Sequence, residues 1–533
     1  GNNVGLLDSS TVDASGTNGG GDVLVGGDQQ GQNPAIHNAE FLYMGAGSRI
    51  IADALDIGRG GKIITFANNT ARVYGNLLAR GGVNGGNGGF IETSGKQGFE
   101  ILMAPDISAR ADNGTSEGGL WLIDPLDITI QNGDGANDAD FSTTGLTIYT
   151  SNGGAAVIET ATLLTGLGNG SVEVVTGPGG DGNGNITFNA VLDYSGIDPG
   201  RSLTLKAFNN IDFMNGSSIS SSGSGLGVIL KAGDNNPGAG NIVFGTGTSI
   251  NTNGANFTAS GNNFNSGNAI IDVGGGSINL DGISGAVRLG NLSANDIFSD
   301  LLIQDASSIT QQAGTIINIG RDLLLGNSLT TDVMLDQPMN TLGARRIVVK
   351  ANDVTLTGTG NIIFDTGTNI KNSLNVTATS GRIDTTPTGS IIVSNEDNNA
   401  IATFNATGNV TFSGNNNFNL VNVESADNVT LNDSTGGIAL SANNGAGTGG
   451  VTGDLTVSAS GGDITNFGEI NVGGTTNLTV DQGQSILLGN AANTLAGIIT
   501  LNAGGDGSFG NITLSNTSAI DLQGLSVNNN LIV

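Results

Sequence analysis

The 533-residue sequence contains no cysteine, only 8 prolines, one tryptophan and one histidine. Without cysteine the chain forms neither disulfides nor thiolate metal sites, and this suits a chain exported unfolded, because no incorrect disulfide can form on the way. The histidine, His37, lies in a polar stretch without an obvious acidic partner. A surface turn is therefore expected for it rather than catalysis, since a general base needs an orienting group.

Basic residues are also scarce, with 17 Lys and Arg against 46 Asp and Glu, a formal net charge of −29. Such a surface repels phosphate backbones and anionic lipid, and Arg345-Arg346 is the one pair of adjacent basic residues. No apolar run approaches the ~18 residues that a membrane helix needs. We therefore expect neither a nucleic-acid partner nor membrane insertion.

Glycine, by contrast, supplies 90 residues, more than twice the usual share of about 7%. The low proline content and the lack of a three-residue glycine period exclude collagen. Hydrophobic residues make up 37% of the chain and the mean hydropathy is +0.04, values too high for a disordered chain. Strand-forming Ile, Val, Leu and Phe lie between turn-forming Gly, Asn, Asp and Ser, which indicates an all-β fold with a buried core.

One tetrad recurs: Asn, then Ile or Val, then any residue, then Phe or Leu. Its large apolar residues are two apart, so in a strand both point to one face. Each strand is too short to be stable alone, and neighbours must stack to bury a continuous core. Six of its copies are Asn185–Phe188, Asn241–Phe244, Asn361–Phe364, Asn409–Phe412, Asn428–Leu431 and Asn511–Leu514.

The spacing of related strands favours a β-solenoid. Strands that begin at Leu455, Leu478 and Ile499 recur at short and similar intervals, which indicates coils of about 20 to 23 residues. An array of immunoglobulin-like sandwiches would instead repeat on a scale of about 100 residues. The sequence therefore predicts stacked coils over the whole chain.

Three segments are expected. Residues 1–130 form a first β-helix segment, residues 131–195 continue it with an acidic loop, and residues 196–533 form a repetitive stalk that is irregular near 300–353. Two stretches, 157–167 and 294–302, have helical spacing of apolar residues. Each is either a small lateral insertion, such as a short helix, or further strand.

Residues 1–130 also carry seven glycine-rich or apolar motifs in a fixed order. They are Val12–Gly16 with Gly19–Gly21, Val23–Asp28 with Gln30-Gly31, Ala52–Ala54, Gly58–Gly61, Ala79–Gly82, Gly85–Gly95, and Leu122–Pro125 with Asp127–Ile130. Each motif alone is unspecific, but the series resembles the filamentous-haemagglutinin-like large exoproteins, the passenger proteins of two-partner secretion in Gram-negative bacteria. After residue 130 the resemblance continues only as a generic repeat.

The resemblance implies a right-handed parallel β-helix, export through an outer-membrane translocator barrel, a secreted or cell-surface location and a role in adhesion or surface structure. It implies no catalytic residues. Members usually carry Asn-Pro-Asn motifs that the translocator recognises, and the nearest string here, Gln32-Asn33-Pro34-Ala35, does not match. Phe66 also stands where relatives often have Trp, a change that alters only packing, and Trp121 is expected in the core.

Calcium is the one cofactor that the sequence suggests, because secreted β-solenoids often bind it through aspartates in glycine-rich turns. The loop from Asn132 to Asp140 holds three aspartates, Asp134, Asp138 and Asp140, which are the best candidate ligands. The alternative is an acidic solvated loop without metal. The tandem calcium-turn pattern itself fails at Gly184, where a ligand aspartate would stand.

The leading interpretation is a non-catalytic surface adhesin or extracellular-fibre stalk that binds a surface, glycan or matrix ligand through stacked strands. One alternative is a β-helical polysaccharide-active enzyme, which would need clustered acids. The other is a filament subunit that self-associates through exposed strand edges. Both termini are apolar and strand-like, so we expect the protein to continue beyond them. The coils would form a rod on the order of 110 to 130 Å long.

Overall fold

A computed structural model describes residues 1–111, 115–133, 156–177, 183–236, 238–343, 345–443, 449–504, 510–527 and 529–533. The fold is all-β, with 51% of the residues in strands and 3% in helices. The chain divides into two compact units: unit 1 is residues 1–285 with 289–291, and unit 2 is residues 286–288 with 292–533. The segments 1–130, 131–195 and 196–533 stay predictions.

The described residues of unit 1 form short strands, one α-helix and one 3-10 turn (Gln29–Gly31). They are β1 (Asn3–Leu6), β2 (Thr11–Asp13), β3 (Asp22–Val25), β4 (Phe41–Met44), β5 (Arg49–Ile51), β6 (Lys62–Ala67), β7 (Thr70–Val73), β8 (Asn76–Leu78), β9 (Phe90–Gly95), β10 (Gly98–Ile101), β11 (Gly119–Ile123), β12 (Ile128–Gln131), β13 (Ala156–Glu159), α1 (Thr160–Asn169), β14 (Gly170–Val175), β15 (Ile186–Asn189), β16 (Val191–Tyr194), β17 (Ser202–Ala207), β18 (Ile211–Phe213), β19 (Ser218–Ser221), β20 (Gly227–Ala232), β21 (Asn241–Phe244), β22 (Ser249–Asn251), β23 (Phe257–Ser260), β24 (Asn263–Asn265), β25 (Ile270–Asp272) and β26 (Ile278–Asn279).

Two strands, β27 (Ala286–Leu289) and β28 (Asn291–Ala294), include residues of both units. The strands of unit 2 are β29 (Leu301–Ile303), β30 (Ser308–Gln311), β31 (Ile317–Ile319), β32 (Asp322–Leu325), β33 (Asp332–Leu335), β34 (Thr341–Leu342), β35 (Arg346–Gly358), β36 (Ile362–Phe364), β37 (Thr368–Ala378), β38 (Ile383–Thr385), β39 (Ile391–Val393), β40 (Ile401–Ala406), β41 (Val410–Phe418), β42 (Leu420–Ala426), β43 (Val429–Asp433), β44 (Ile438–Ala442), β45 (Gly450–Val451), β46 (Leu455–Ala459), β47 (Ile464–Val472), β48 (Thr476–Val480), β49 (Ile486–Leu488), β50 (Thr494–Leu495), β51 (Ile498–Ala503), β52 (Ile512–Leu514), β53 (Asp521–Val527) and β54 (Leu531–Ile532).

The strands pair in parallel, which makes the fold solenoid-like in each unit. From β14 to β26 each strand pairs with the strand three further along the chain, so three strands make one coil. Long strands in unit 2, such as β35 and β37, run along two sides of a coil and pair with each other directly. Between residues 300 and 353, where irregular coils are predicted, β29, β32 and β35 pair in register.

Coil length varies more widely than the predicted range of about 20 to 23 residues. In unit 1, Val172 pairs with Leu203 and Leu203 with Val228, and both of these coils are longer than that range. In unit 2, Ile383 pairs with Val410 in a coil that is also longer, and Val410 pairs with Val429 in one that is shorter. The turns between the strands absorb much of the difference because they lie outside the pairing, and β41 and β43 also shift register between Phe412 and Asn416.

The core is built from the apolar residues of the tetrads, as the two-residue spacing predicts. Both large apolar residues are buried in each of the six tetrads named above. Their rings stack on successive coils in unit 1: the ring centroids of Phe188 and Phe213 are 5.0 Å apart, and those of Phe213 and Phe244 are 4.5 Å apart. Stacked aromatic rings add favourable contacts beyond the burial of apolar area.

The first residue of the tetrad, asparagine, joins neighbouring coils. The Asn185 Oδ1 accepts a hydrogen bond from the backbone N–H of Asn210, and the Asn210 Oδ1 accepts one from the backbone N–H of Asn241. In unit 2 the Asn409 Oδ1 likewise accepts from the backbone N–H of Asn428. The recurring asparagine thus satisfies backbone donors where a strand begins.

The two stretches with helical spacing behave differently. In the first, β13 ends at Glu159 and α1 begins at Thr160, and the helix buries Leu163 and Leu167. Its Gly166 lies against the Trp121 ring, which is fully buried as predicted. The second stretch forms no helix, since it spans the end of β28 and the start of β29.

Candidate functional site

The predicted calcium ligands Asp134, Asp138 and Asp140 lie outside the described residues. Within the described residues, no group of three or more His, Cys, Asp or Glu side chains is placed to hold a metal ion. His37 is exposed, and its Nε2 lies 3.2 Å from the Asn2 Oδ1. Trp121 donates a hydrogen bond from its Nε1 to the Thr93 Oγ1 over 2.9 Å, so its polar atom is satisfied inside the core.

A loop of residues 26–39, here called the strap, lies against the outer side of the sheet that contains β3, β6, β9 and β11. It packs on Phe66, which is 1% exposed. Gly26 and Gly31 have φ angles of +82° and +66°, and a Cβ atom on Gly31 would lie 2.4 Å from the Phe66 Cζ. Glycine is therefore required where the strap meets the ring.

Three charged residues, Glu92, Lys96 and Asp124, lie beneath or beside this strap and are here called the charged cluster. Glu92 is 0% exposed, and its two carboxylate oxygens accept from the backbone N–H of Gln30 in the strap over 3.1 and 3.0 Å. Asp124 is 1% exposed, and its Oδ2 lies 2.5 Å from the Lys96 Nζ. The Lys96 Nζ also lies 6.0 Å from the centre of the Phe66 ring.

The sheet register brings these groups to one side. Glu92 pairs with Leu122, which precedes Asp124 by two residues, and Glu92 precedes Lys96 by four. Alternation along β9 therefore directs Glu92 outward, away from the core that holds Trp121. Lys96 and Asp124 follow the ends of β9 and β11, and the position of the Lys96 Nζ near the Phe66 ring places this pair on the same side. The Ser94 Oγ accepts from the backbone N–H of Asp124 over 3.1 Å, which fixes the start of the segment after β11.

Burial governs the protonation of both acids. It raises the pKa of Glu92 from its ordinary 4.5 to about 7, against the lowering effect of hydrogen bonds from Ser94 and Gln30 and the attraction of Lys96. It also raises the pKa of Asp124, although Lys96 acts in the opposite direction. Desolvation disfavours the charged form of a carboxylic acid. Here its effect on the pKa exceeds the opposite effect of the hydrogen bonds and of Lys96.

We expect the free energy of unfolding of unit 1 to fall as the pH rises from about 4.5 to about 7. Folded Glu92 holds its proton to a higher pH than the unfolded chain does, so its contribution is greatest below 4.5 and lost through the folded pKa. Denaturant titrations at several pH values measure this. Glu92→Gln should flatten the profile in that window, whereas Glu117→Gln, at an exposed acid, should leave it unchanged. An unaltered profile in the Glu92 variant would contradict the assignment.

Unit 2 presents a different surface, an uncharged array on the outer side of β41, β43, β46, β48 and β51. The outward residues named below pair with one another across neighbouring strands, so they form columns with strands about 4.8 Å apart. None of the array residues is buried. The array, here called the polar face, consists of Thr411, Thr430, Asn432, Thr456, Ser458, Asn477, Thr479, Thr500 and Asn502.

The two surfaces differ in what they can do chemically. The carboxylates of the charged cluster are buried under the strap, so a polysaccharide could not reach both without displacement of the strap. The polar face offers hydroxyl and amide groups, which donate and accept hydrogen bonds without charge. It therefore suits contacts with an extended partner rather than acid–base chemistry.

Sequence reasoning assigns no role to either surface. Glu92 and Asp124 fall within the motifs of residues 1–130, and the signal that would find them is a charged residue at a position between buried strand residues. The polar face is visible as Thr, Ser or Asn between large apolar residues in the repeats. What the sequence lacks is the register that aligns these residues across coils.

Comparison with known proteins adds one match. Residues 426–502 match a family described as repeats of unknown function (DUF5649). The matched range contains β43, β46 and β48 and therefore most of the polar face. A search of curated proteins found no match. Among the described residues, no helix has the length and apolar character needed to cross a membrane.

Proposed function

We propose that this chain is part of a secreted, non-catalytic adhesin or extracellular-fibre stalk on the outer surface of a Gram-negative cell. The polar face carries the proposal: nine outward Thr, Ser and Asn residues are aligned over five successive strands, and none is charged. A repeated neutral surface in a chain of net charge −29 favours contact with an uncharged, hydrogen-bonding partner.

The finer fold in this proposal is a right-handed parallel β-helix. The parallel pairing of β14, β17, β20 and β23 supports it, because connections between parallel strands of one sheet are right-handed in almost all proteins. The motif series in residues 1–130 supports the resemblance to filamentous-haemagglutinin-like exoproteins. Export through a translocator barrel belongs to the proposal on that ground alone.

Attachment of the producing cells tests the proposal. The purified chain, added in excess, should reduce their attachment to surfaces, because it competes for the same contacts. Antibodies to the chain should label intact cells. Failure of both experiments would contradict an adhesive surface role.

A pair of variants tests the surface itself. Thr456→Glu with Thr500→Glu places two charges on the polar face, and we expect this double variant to lose the competing effect. Thr258→Glu changes an outward strand residue of unit 1 and should compete like the unchanged chain. Equal activity of all three proteins would show that the polar face is not the contact surface.

A further inference from the structure

Lys96 and Asp124 lie in contact at a site where the Asp124 carboxylate is closed to water. The Lys96 Nζ is 2.5 Å from the Asp124 Oδ2, and the two side chains are 21% and 1% exposed. The Phe66 ring centre lies 6.0 Å from the Lys96 Nζ, and the buried Glu92 accepts hydrogen bonds from the strap. We propose that the side chains of Lys96 and Asp124 condense to form an intramolecular isopeptide bond, a covalent cross-link within unit 1 that goes beyond the proposed adhesive function.

The reaction balances without an oxidant or another reactant. A proton passes from the Lys96 ammonium to the Asp124 carboxylate, which gives a neutral amine and a neutral acid. The Nζ lone pair attacks the Asp124 Cγ, a Cγ–Nζ bond forms, and the bond from Cγ to one carboxyl oxygen breaks. That oxygen leaves as water with two protons, one of them from the nitrogen, and the product is a neutral amide.

Proximity is the first factor that speeds the condensation. The two groups are held by neighbouring strands of one parallel sheet, since β9 pairs with β11 in register. Reaction between groups fixed in contact avoids the entropic cost of bringing them together. The Lys96 carbonyl also accepts from the backbone N–H of Leu126 over 2.8 Å, which holds the segment after β9 beside the segment that contains Asp124.

Glu92 supplies an acid–base group for the proton transfers. It shares the outer side of the sheet with both reacting residues, and its charge interacts with both of them. Burial keeps a fraction of Glu92 protonated near neutral pH. A neutral carboxylic acid can donate a proton to the departing oxygen and later accept one from the nitrogen.

Burial also favours the product. An ion pair removed from water loses hydration that its mutual attraction repays only in part. Amide formation replaces both charges with one neutral group and releases a water molecule from the site. The bond would join successive coils in a chain without cysteine, which has no disulfide to do so.

Two other pairs of lysine and acid along the same sheet lack this environment. Lys62 lies 3.3 Å from Asp28, with side chains that are 31% and 20% exposed. Lys206 lies 2.8 Å from Glu173, with side chains that are 24% and 21% exposed. In both pairs the acid is much more exposed than Asp124, which is 1% exposed, so we expect neither to react. They are internal controls for the specificity of the reaction.

Mass spectrometry of the intact, folded chain tests the proposal. The measured mass should be lower than the mass of the sequence by one water molecule, and a digest should contain a branched peptide that joins residues 96 and 124. Lys96→Arg and Asp124→Ala should restore the full mass of their own sequences. Lys62→Arg should still lose one water.

Two variants distinguish condensation from other mass losses. Asp124→Asn should lose one ammonia instead of one water, because the leaving group is then the amide nitrogen. Glu92→Gln should slow the loss at least tenfold, followed as mass against time after refolding from denaturant. A folded wild-type chain of full mass, without a branched peptide, would overturn the proposal and leave the adhesive function untouched. A water loss that persists in Asp124→Ala would also overturn it.

Discussion

Aspartate at Ile242 or Phe244 will lower the free energy of unfolding of unit 1 by at least about 3 kcal/mol. Ile242 is 0% exposed and Phe244 is 6% exposed. Phe244 stacks on Phe213 at 4.5 Å, so each substitution removes a core side chain and buries a carboxylate between coils. Denaturant unfolding followed by circular dichroism gives the loss.

The residue between them is the matched control. Val243 belongs to the same strand and is 37% exposed, so an aspartate there stays in water. We expect Val243→Asp to cost under about 1 kcal/mol. Equal losses at all three positions would show that the strand does not alternate between core and solvent.

Alanine at Asp433 will destabilise unit 2 by about 3 kcal/mol or more. Asp433 is 0% exposed, and its carboxylate accepts from three backbone N–H groups. These are the amides of Phe418 at 2.7 Å, Thr435 at 2.9 Å and Gly436 at 2.7 Å. Removal of the carboxylate leaves all three donors without this acceptor, and a donor that stays buried and unpaired costs about 1 to 3 kcal/mol.

Asparagine at position 433 keeps the shape of the side chain but replaces one acceptor oxygen with a donor group. The side-chain oxygen of Asp433→Asn still accepts from Thr435 and Gly436, while its NH₂ group faces the donor of Phe418. We expect Asp433→Asn to lower the free energy of unfolding, but by less than Asp433→Ala does. If Asp433→Ala lowered the free energy of unfolding no more than a substitution at an exposed position does, the role given to Asp433 would be contradicted.

The sequence predicts the repeating core because burial and strand alternation are local properties. Two apolar residues separated by one are enough to assign Ile362 and Phe364 to the interior, and both are buried. Stacking of the strands also follows, because strands of three or four residues cannot be stable without neighbours. The prediction of Trp121 in the core is confirmed for the same reason.

Properties set by the turns could not be predicted in this way. Coil length depends on how many residues the turns hold, and the long coil from Val172 to Leu203 shows how far the turns vary. Buried polar residues such as Asn416 and Asp433 look like turn residues in the sequence. In the structure, the Asn416 Oδ1 accepts from the backbone N–H of Ile391 in another coil. Only the register reveals such partners.

The charged cluster could not be predicted for a related reason. Glu92 and Asp124 are far apart in the chain, and Glu92 contacts the strap through Gln30, which precedes it by 62 residues. No local pattern relates three sites so far apart. The motifs of residues 1–130 contain these residues, while their burial and their mutual contacts arise only when the coils are stacked.

An experimental density map of the chain tests the central claim, a stack of parallel coils, most directly. The account predicts a chain that winds in right-handed coils, with Ile383, Val410 and Val429 aligned on successive coils of unit 2 and their side chains inside. Antiparallel hairpins, sandwich domains or a left-handed winding would contradict it.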